Sequence, residues 1–173
     1  LDPKKFDTGI DLAISKIKRI SPESVDPRVK NYHWLDLVNG MFEAYDRGHY
    51  TAVLVDEENN VLEGPGFNIF SLDENGLKTP KIGVLEGITR QTAIRLASEL
   101  DIPVQEKSIG SEEFINSDEA FATSTAGGII PITKINGKKI NNGKIGKVTS
   151  LLKNLYWEKH TDPQWSQSVD ELI

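Results

Sequence analysis

The stretch FNIFSLDENGLKTP, residues 67–80, decides the fold class. FNIFSLD and LKTP read as the two strands of a hairpin around Asn75-Gly76, the strongest short-range turn signal. Outward from it the same pattern repeats. Upstream, YTAVLVD (residues 50–56) is a strand, EENN a turn and VLEG (residues 61–64) the returning strand. Downstream, IIPITKI (residues 129–135), Asn136-Gly137 and KKI make a third hairpin. Residues 11–20 mix β-branched and charged side chains and predict a strand with one wet face. IPVQEKSI (residues 102–109) and EAFATS (residues 119–124) are further strands, the latter running into the small-residue loop TAGG.

Helical spacing appears between these strands. In residues 32–47, Trp34, Leu37, Val38, Met41, Phe42 and Tyr45 predict one buried stripe, with Gly48 as the stop. In residues 89–100, Ala93, Leu96, Ala97 and Leu100 share a face. Ser111, followed by Glu112 and Glu113, opens a short helix. Residues 146–160 close the pattern with Val148, Leu151, Leu152, Leu155 and Tyr156 inward. SPESVDP (residues 21–27) is turn-rich, its two prolines discouraging helix. Hairpins interleaved with single helices predict an α+β fold rather than a doubly wound parallel sheet. The Rossmann glycine pattern and the phosphate-loop pattern are both missing, so nucleotide binding by those routes drops out.

Composition narrows the function classes. A chain of 173 residues that is 38% hydrophobic suits one domain with a real core. A net charge of −6 without a cluster of Lys and Arg argues against nucleic-acid and anionic-membrane surfaces. No cysteine is present, so disulfides and thiolate chemistry are excluded. His33, His49 and His160 are too scattered for a zinc site, and no metal is expected. No apolar run is long enough to span a bilayer, and the start lacks a signal peptide's regions. The expectation is a soluble, cytoplasmic protein.

Four features can carry chemistry, each with an ordinary reading beside it. Lys30, in VKNYHW (residues 29–34), follows a strand-like run and precedes a helix-like one. It is either a surface lysine or a partly desolvated amine able to form a Schiff base with a carbonyl. Glu63, in VLEGPGFNIF, is a strand-end surface carboxylate or one aimed into a cleft where glycines admit a ligand. In GVLEGITRQTAIRLA, the amides of Gly87, Ile88 and Thr89 face outward at a helix start that favours an anion, although Thr89 also suits a plain N-cap. ATSTAGG ends a strand in hydroxyls and glycines, an ordinary loop or a second set of anion donors. An aldehyde for Lys30, a basic ring nitrogen for Glu63 and a phosphate for the Thr89 helix all belong to pyridoxal 5′-phosphate.

Lys30, LEGPGFNIF, LKTP, GVLEGITR, TSTAGGIIPIT and NGKKINNGKIG, in that order, resemble the fold-type IV pyridoxal-phosphate enzymes, the class of branched-chain and D-amino-acid aminotransferases. KNYHWLDLVNGMFEAYDRG and STAGGIIPIT look most like the (R)-selective amine transaminase branch, and position 35 is Leu where branched-chain members carry tyrosine. The resemblance implies hairpin-rich sheets forming a pseudo-barrel with flanking helices. It implies an aminotransferase acting on an amine or amino acid and a keto acid, with a lyase of the same class or a non-catalytic truncated domain as alternatives. Lys30 resembles the Schiff-base lysine and catalytic residue, Glu63 the partner of the pyridine nitrogen, and Leu85 the apolar residue packed on the ring. Ile88 and Thr89 match the phosphate-binding helix start and Ser124 a further phosphate contact. Thr125 and Ala126 match the loop bordering the substrate pocket. It implies a homodimer. Residues 1–28 then correspond to a terminal strand and linker, and residues 29–173 to the cofactor-binding large domain, with a small N-terminal domain absent from the chain.

Overall fold

The computed structural model describes residues 4–169. The elements run α1 (Lys5–Thr8), β1 (Ile10–Lys18), α2 (Leu35–Asp46), β2 (Thr51–Val55), β3 (Glu63–Gly64), β4 (Phe67–Asp73) and β5 (Gly76–Thr79). They continue with α3 (Ile88–Glu99), β6 (Val104–Glu106), α4 (Ser111–Ile115), β7 (Glu119–Ser124), β8 (Gly128–Ile135), β9 (Lys138–Lys139) and α5 (Lys147–Glu158). The stretch 67–80 is the hairpin β4–β5, but its turn residues are Glu74 and Asn75, one position earlier than expected. Asp73 sets that turn by accepting the Asn75 N–H at 2.9 Å. Gly76 then opens β5 at φ +110, where a Cβ would lie 2.4 Å from the Pro103 carbonyl. Asn136 and Gly137 turn β8 into β9 as expected, both left-handed at φ 50 and 77.

The strands form one mixed sheet in the order β2-β1-β8-β7-β4-β5-β6, with β3 on β4 and β9 on β8. β1 runs parallel to both its neighbours, and β5 runs parallel to β6; the other pairings are antiparallel. The sheet curls into a half-barrel, the hairpin-rich α+β architecture that the sequence predicts. The pairings come back on themselves, because Val61 bridges Val55 and Leu62 N–H donates to Leu54 O at 2.9 Å, just before β3 joins β4.

Three apolar clusters follow from that curl. Inside it, Ile10, Leu12, Val53, Ile69, Ala122 and Ile130 are buried. Outside, α3 and α5 cover Phe70, Leu77, Phe121 and Ile129 with Ala93, Leu96 and Leu152. Phe70 and Phe121 face each other in register and stack at 4.8 Å. Such a pair adds about 0.5–1.5 kcal/mol beyond its buried area. The third cluster joins Leu37 and Ala44 of α2 to Ala13, Ala52 and Leu54. β1 is therefore covered on both faces along its middle, not wet on one.

Several expected details change. α2 starts at Leu35, and its buried residues are Leu37, Gly40 and Ala44; Trp34, Phe42 and Tyr45 stay exposed. Leu151 of α5 is exposed too. The strand expected over 102–109 is regular only across Val104–Glu106. Ser111 does open a short helix, as the first residue of α4, and its hydroxyl donates to Asn59 O at 2.6 Å.

Candidate functional site

A cavity of about 280 Å³ opens where β3, the β7 end and the start of α3 meet the run that follows β1. Lys30, Glu63, Leu85, Ile88, Thr89, Ser124 and Thr125 all line it. Ala126 does not. It lines an adjoining apolar pocket with Tyr45 and Tyr50, which shares Gly66, Phe67 and Ser124 with the first. Residues from position 30 to position 125 thus meet at one cavity.

Glu63 sits in β3 with its side chain 8% exposed. Its Oε1 accepts from Arg19 Nε at 3.3 Å and Nη2 at 3.1 Å, and its Oε2 from the Leu85 N–H at 2.9 Å. A carboxylate offers about four acceptor sites, so one remains, on Oε2. Leu85 is fixed from its other side, where its carbonyl accepts from Asn68 Nδ2 and the Gly87 N–H, both at 2.8 Å. Burial pushes the Glu63 carboxyl above its ordinary value; the Leu85 N–H and Arg19 oppose this without cancelling it.

Gly87 is the N-cap of α3 and no side chain caps the helix, which leaves its first amides at the cavity wall unpaired by a cap. Thr89 is buried in the first turn and is not the N-cap. A Cβ at Gly87 would meet Asn68 Oδ1 at 2.4 Å, so this close passage of the chain needs glycine. Arg90, 1% exposed, anchors the helix start: Nη2 donates to Pro80 O at 2.9 Å and Glu106 Oε2 at 2.6 Å. Across the cavity, Thr123 Oγ1 is buried without a hydrogen-bond partner.

Lys30 is not at a strand end. β1 ends at Lys18 and α2 starts at Leu35, and Lys30 is exposed in the irregular run between them. What fixes that run is Asp36 in the first turn of α2. Its Oδ2 accepts from Arg19 Nη1 at 2.6 Å and from the Ile20 N–H at 2.8 Å, tying the start of the run to its end. Arg19 lies outside the motifs quoted above yet lines the cavity; Asp36 lies inside KNYHWLDLVNGMFEAYDRG, where its position alone gives no sign of this pairing. The Asp36 carboxyl is pushed up by burial but ends below its ordinary value, because the Ile20 and Leu37 amides and Arg19 outweigh that cost. A carboxyl held low in the folded state adds stability above its unfolded value, near 3.8, which is lost as the pH falls through the folded value. Asp36→Asn is therefore expected to unfold at lower urea than the native chain at neutral pH, with the gap closing below pH 3.8. A gap independent of pH contradicts this.

Comparison with known proteins gives the family. A model of amino-transferase class IV matches residues 2–135. The chain is 36% identical over 152 residues to a branched-chain-amino-acid aminotransferase of Pseudomonas aeruginosa, covering 87% of this chain and 50% of that protein. A solved branched-chain aminotransferase from Thermoproteus uzoniensis with norvaline superposes with a TM-score of 0.86 at 33% identity, over 93% of this chain and 55% of that one. The enzyme from Thermobaculum terrenum in its PLP form gives 0.84 at 33% identity, over 88% and 51%. The chain spans about half the length of these relatives. Its cavity, its half-barrel and the match over residues 2–135 agree: the chain belongs to the amino-transferase class IV family.

Proposed function

We propose that this chain carries the pyridoxal 5′-phosphate site of an aminotransferase that moves an amino group from an amine or amino acid to a keto acid. The observation that supports this most is the Glu63 carboxylate, which lines the cavity with one acceptor site open on Oε2. That site suits a ring N–H, the uncapped start of α3 suits a phosphate, and the partnerless Thr123 Oγ1 supplies a buried polar contact. The relatives named above include an enzyme in PLP form. The residues present fit the group.

Pyridoxal 5′-phosphate, when bound, supplies an aldehyde that combines with amines and a conjugated ring that takes up electrons from the substrate's α-carbon. The chain's own residues then have separable roles. Lys30 Nζ is the amine that holds the aldehyde end and the base that carries the proton during transfer. Glu63 Oε2 would accept a hydrogen bond from the ring N–H and keep that nitrogen protonated. Leu85 supplies an apolar contact to the ring beside it. The amides of Ile88 and Thr89, with the hydroxyls of Thr89 and Ser124, bind the phosphate. Thr125 at the cavity and Ala126 at the adjoining pocket border the substrate.

Thr89→Ala is expected to weaken cofactor binding by about 1.5–3 kcal/mol, one charge-assisted bond, while the helix amides stay. Titration of the folded variant with pyridoxal phosphate measures it, and an unchanged dissociation constant assigns Thr89 to packing alone. The overall reading is tested by adding pyridoxal phosphate to the full chain and following its absorbance, then product formation from an amine donor and pyruvate. A yellow protein that forms alanine supports it. A colourless protein overturns it.

A further inference from the structure

We propose that Arg19 is the positioning residue of this site, a clasp that sets the lysine-bearing run and the ring-facing carboxylate relative to each other. The proposal rests on the cofactor reading above and concerns a residue that no motif contains. Arg19 lies just past β1 with its side chain 6% exposed. Its fork is divided. Nε and Nη2 go to Glu63 Oε1, and Nη1 goes to Asp36 Oδ2. Among the described residues it is the sole ion-pair partner of either carboxylate.

Two consequences follow from this geometry. The first is mechanical. From Arg19 to Trp34 the chain forms no strand or helix, and this run carries Lys30. Its ends meet at Asp36, which receives both Arg19 Nη1 and the Ile20 N–H. Because the same guanidinium also grips Glu63, movement at the neck of the run is movement relative to that carboxylate. A planar fork can hold two carboxylates at fixed angles, which a lysine ammonium does not do.

The second consequence is electrostatic. Asp36 and Arg19 cancel, so the triad keeps one net negative charge, that of Glu63. Arg19 occupies Oε1 and the Leu85 amide takes one site on Oε2, so the remaining site points at a single position. Burial favours the neutral acid at Glu63, and Asp36 adds to that tendency; among the described residues Arg19 is the cation that opposes both. Without it, nothing in this triad offsets the push of burial toward the neutral acid, the form that cannot pair as a charge with a protonated ring nitrogen.

The test uses the full chain with pyridoxal phosphate and three variants: Arg19→Gln, Arg19→Lys and Glu63→Gln. The readouts are the pH midpoint of the Glu63 carboxyl in cofactor-free protein by ¹³C-glutamate NMR, the pH dependence of the bound cofactor's absorption band, and turnover. Arg19→Gln is expected to raise the Glu63 midpoint, move the band's pH dependence and cut turnover about 10²-fold, the scale of a misplacement near 1 Å. Arg19→Lys keeps the charge but not the fork, so it should restore most of the midpoint and little of the turnover. A midpoint and band unchanged in Arg19→Gln, or native turnover in Arg19→Lys, overturns the proposal. Should Arg19→Gln fail to fold, Arg19→Lys decides by its turnover. The control separates the two levels. A band unaltered in Glu63→Gln overturns the ring-partner reading itself. A band altered there but not in Arg19→Gln overturns the role of Arg19 alone.

Discussion

Lys30→Ala is expected to cost at least about 10²–10⁴-fold in amino transfer, the range for losing a positioned proton carrier. The loss includes the covalent hold on the aldehyde end, so it should exceed that of any other single substitution at the cavity. Cofactor binding should fall much less, since Glu63, the start of α3 and the Thr123–Thr125 stretch form the rest of the cavity wall. Lys30 is exposed in an irregular run, so folding should be unaffected. Added methylamine should return part of the activity by standing in for the missing base. Turnover within tenfold of the native chain shows that another group carries the proton.

Glu63→Gln is expected to slow turnover by about 10²–10³-fold, the loss typical of removing one preorganised electrostatic contact in a water-poor site. The amide is nearly the same shape and can still accept the Leu85 N–H, so the cavity wall should persist. What disappears is the charge. A neutral amide leaves the Arg19 guanidinium paired with Asp36 only, and it no longer favours a protonated ring nitrogen. Affinity for the cofactor should change less than turnover, because the phosphate contacts are untouched. Equal losses in affinity and turnover would place Glu63 in binding rather than in chemistry. Normal turnover would remove it from the site.

The parts of this molecule legible in its sequence are those encoded by local chemistry. Asn136-Gly137 turns as expected because both residues tolerate the left-handed conformation that a two-residue hairpin loop needs. α3 buries Ala93, Leu96 and Ala97 as their spacing predicts. α2 departs because spacing shows that a face is apolar, not that it is covered. Its contact surface is set by small residues instead. A Cβ at Gly40 would lie 2.6 Å from Leu54 Cδ1, so helix and strand approach through Gly40 and Ala44 while Trp34, Phe42 and Tyr45 face outward.

The site shows the same division. Seven of the residues singled out in the sequence line one cavity, since each lies in a stretch whose pattern is visible over a few positions. Arg19 gave no such signal. Its partners Asp36 and Glu63 stand 17 and 44 residues away, and a lone arginine after a strand looks like any surface cation. Arg90 is similar: it sits inside the GVLEGITR stretch, yet its burial against Pro80 and Glu106 depends on the α3–β6 contact. The signal that finds such residues is long-range charge pairing, which a single sequence does not display.

In the proposed site Lys30 Nζ holds the aldehyde of pyridoxal 5′-phosphate in the cavity beside Glu63. Borohydride reduction of the full chain loaded with the cofactor fixes that bond irreversibly, and peptide mapping locates it. The expected result is a single pyridoxyl label on Lys30, absent from Lys30→Ala. Label on Lys18, whose ammonium here is held by Asp56 O at 2.7 Å and Asn59 Oδ1 at 2.8 Å, or on any other lysine, would contradict it.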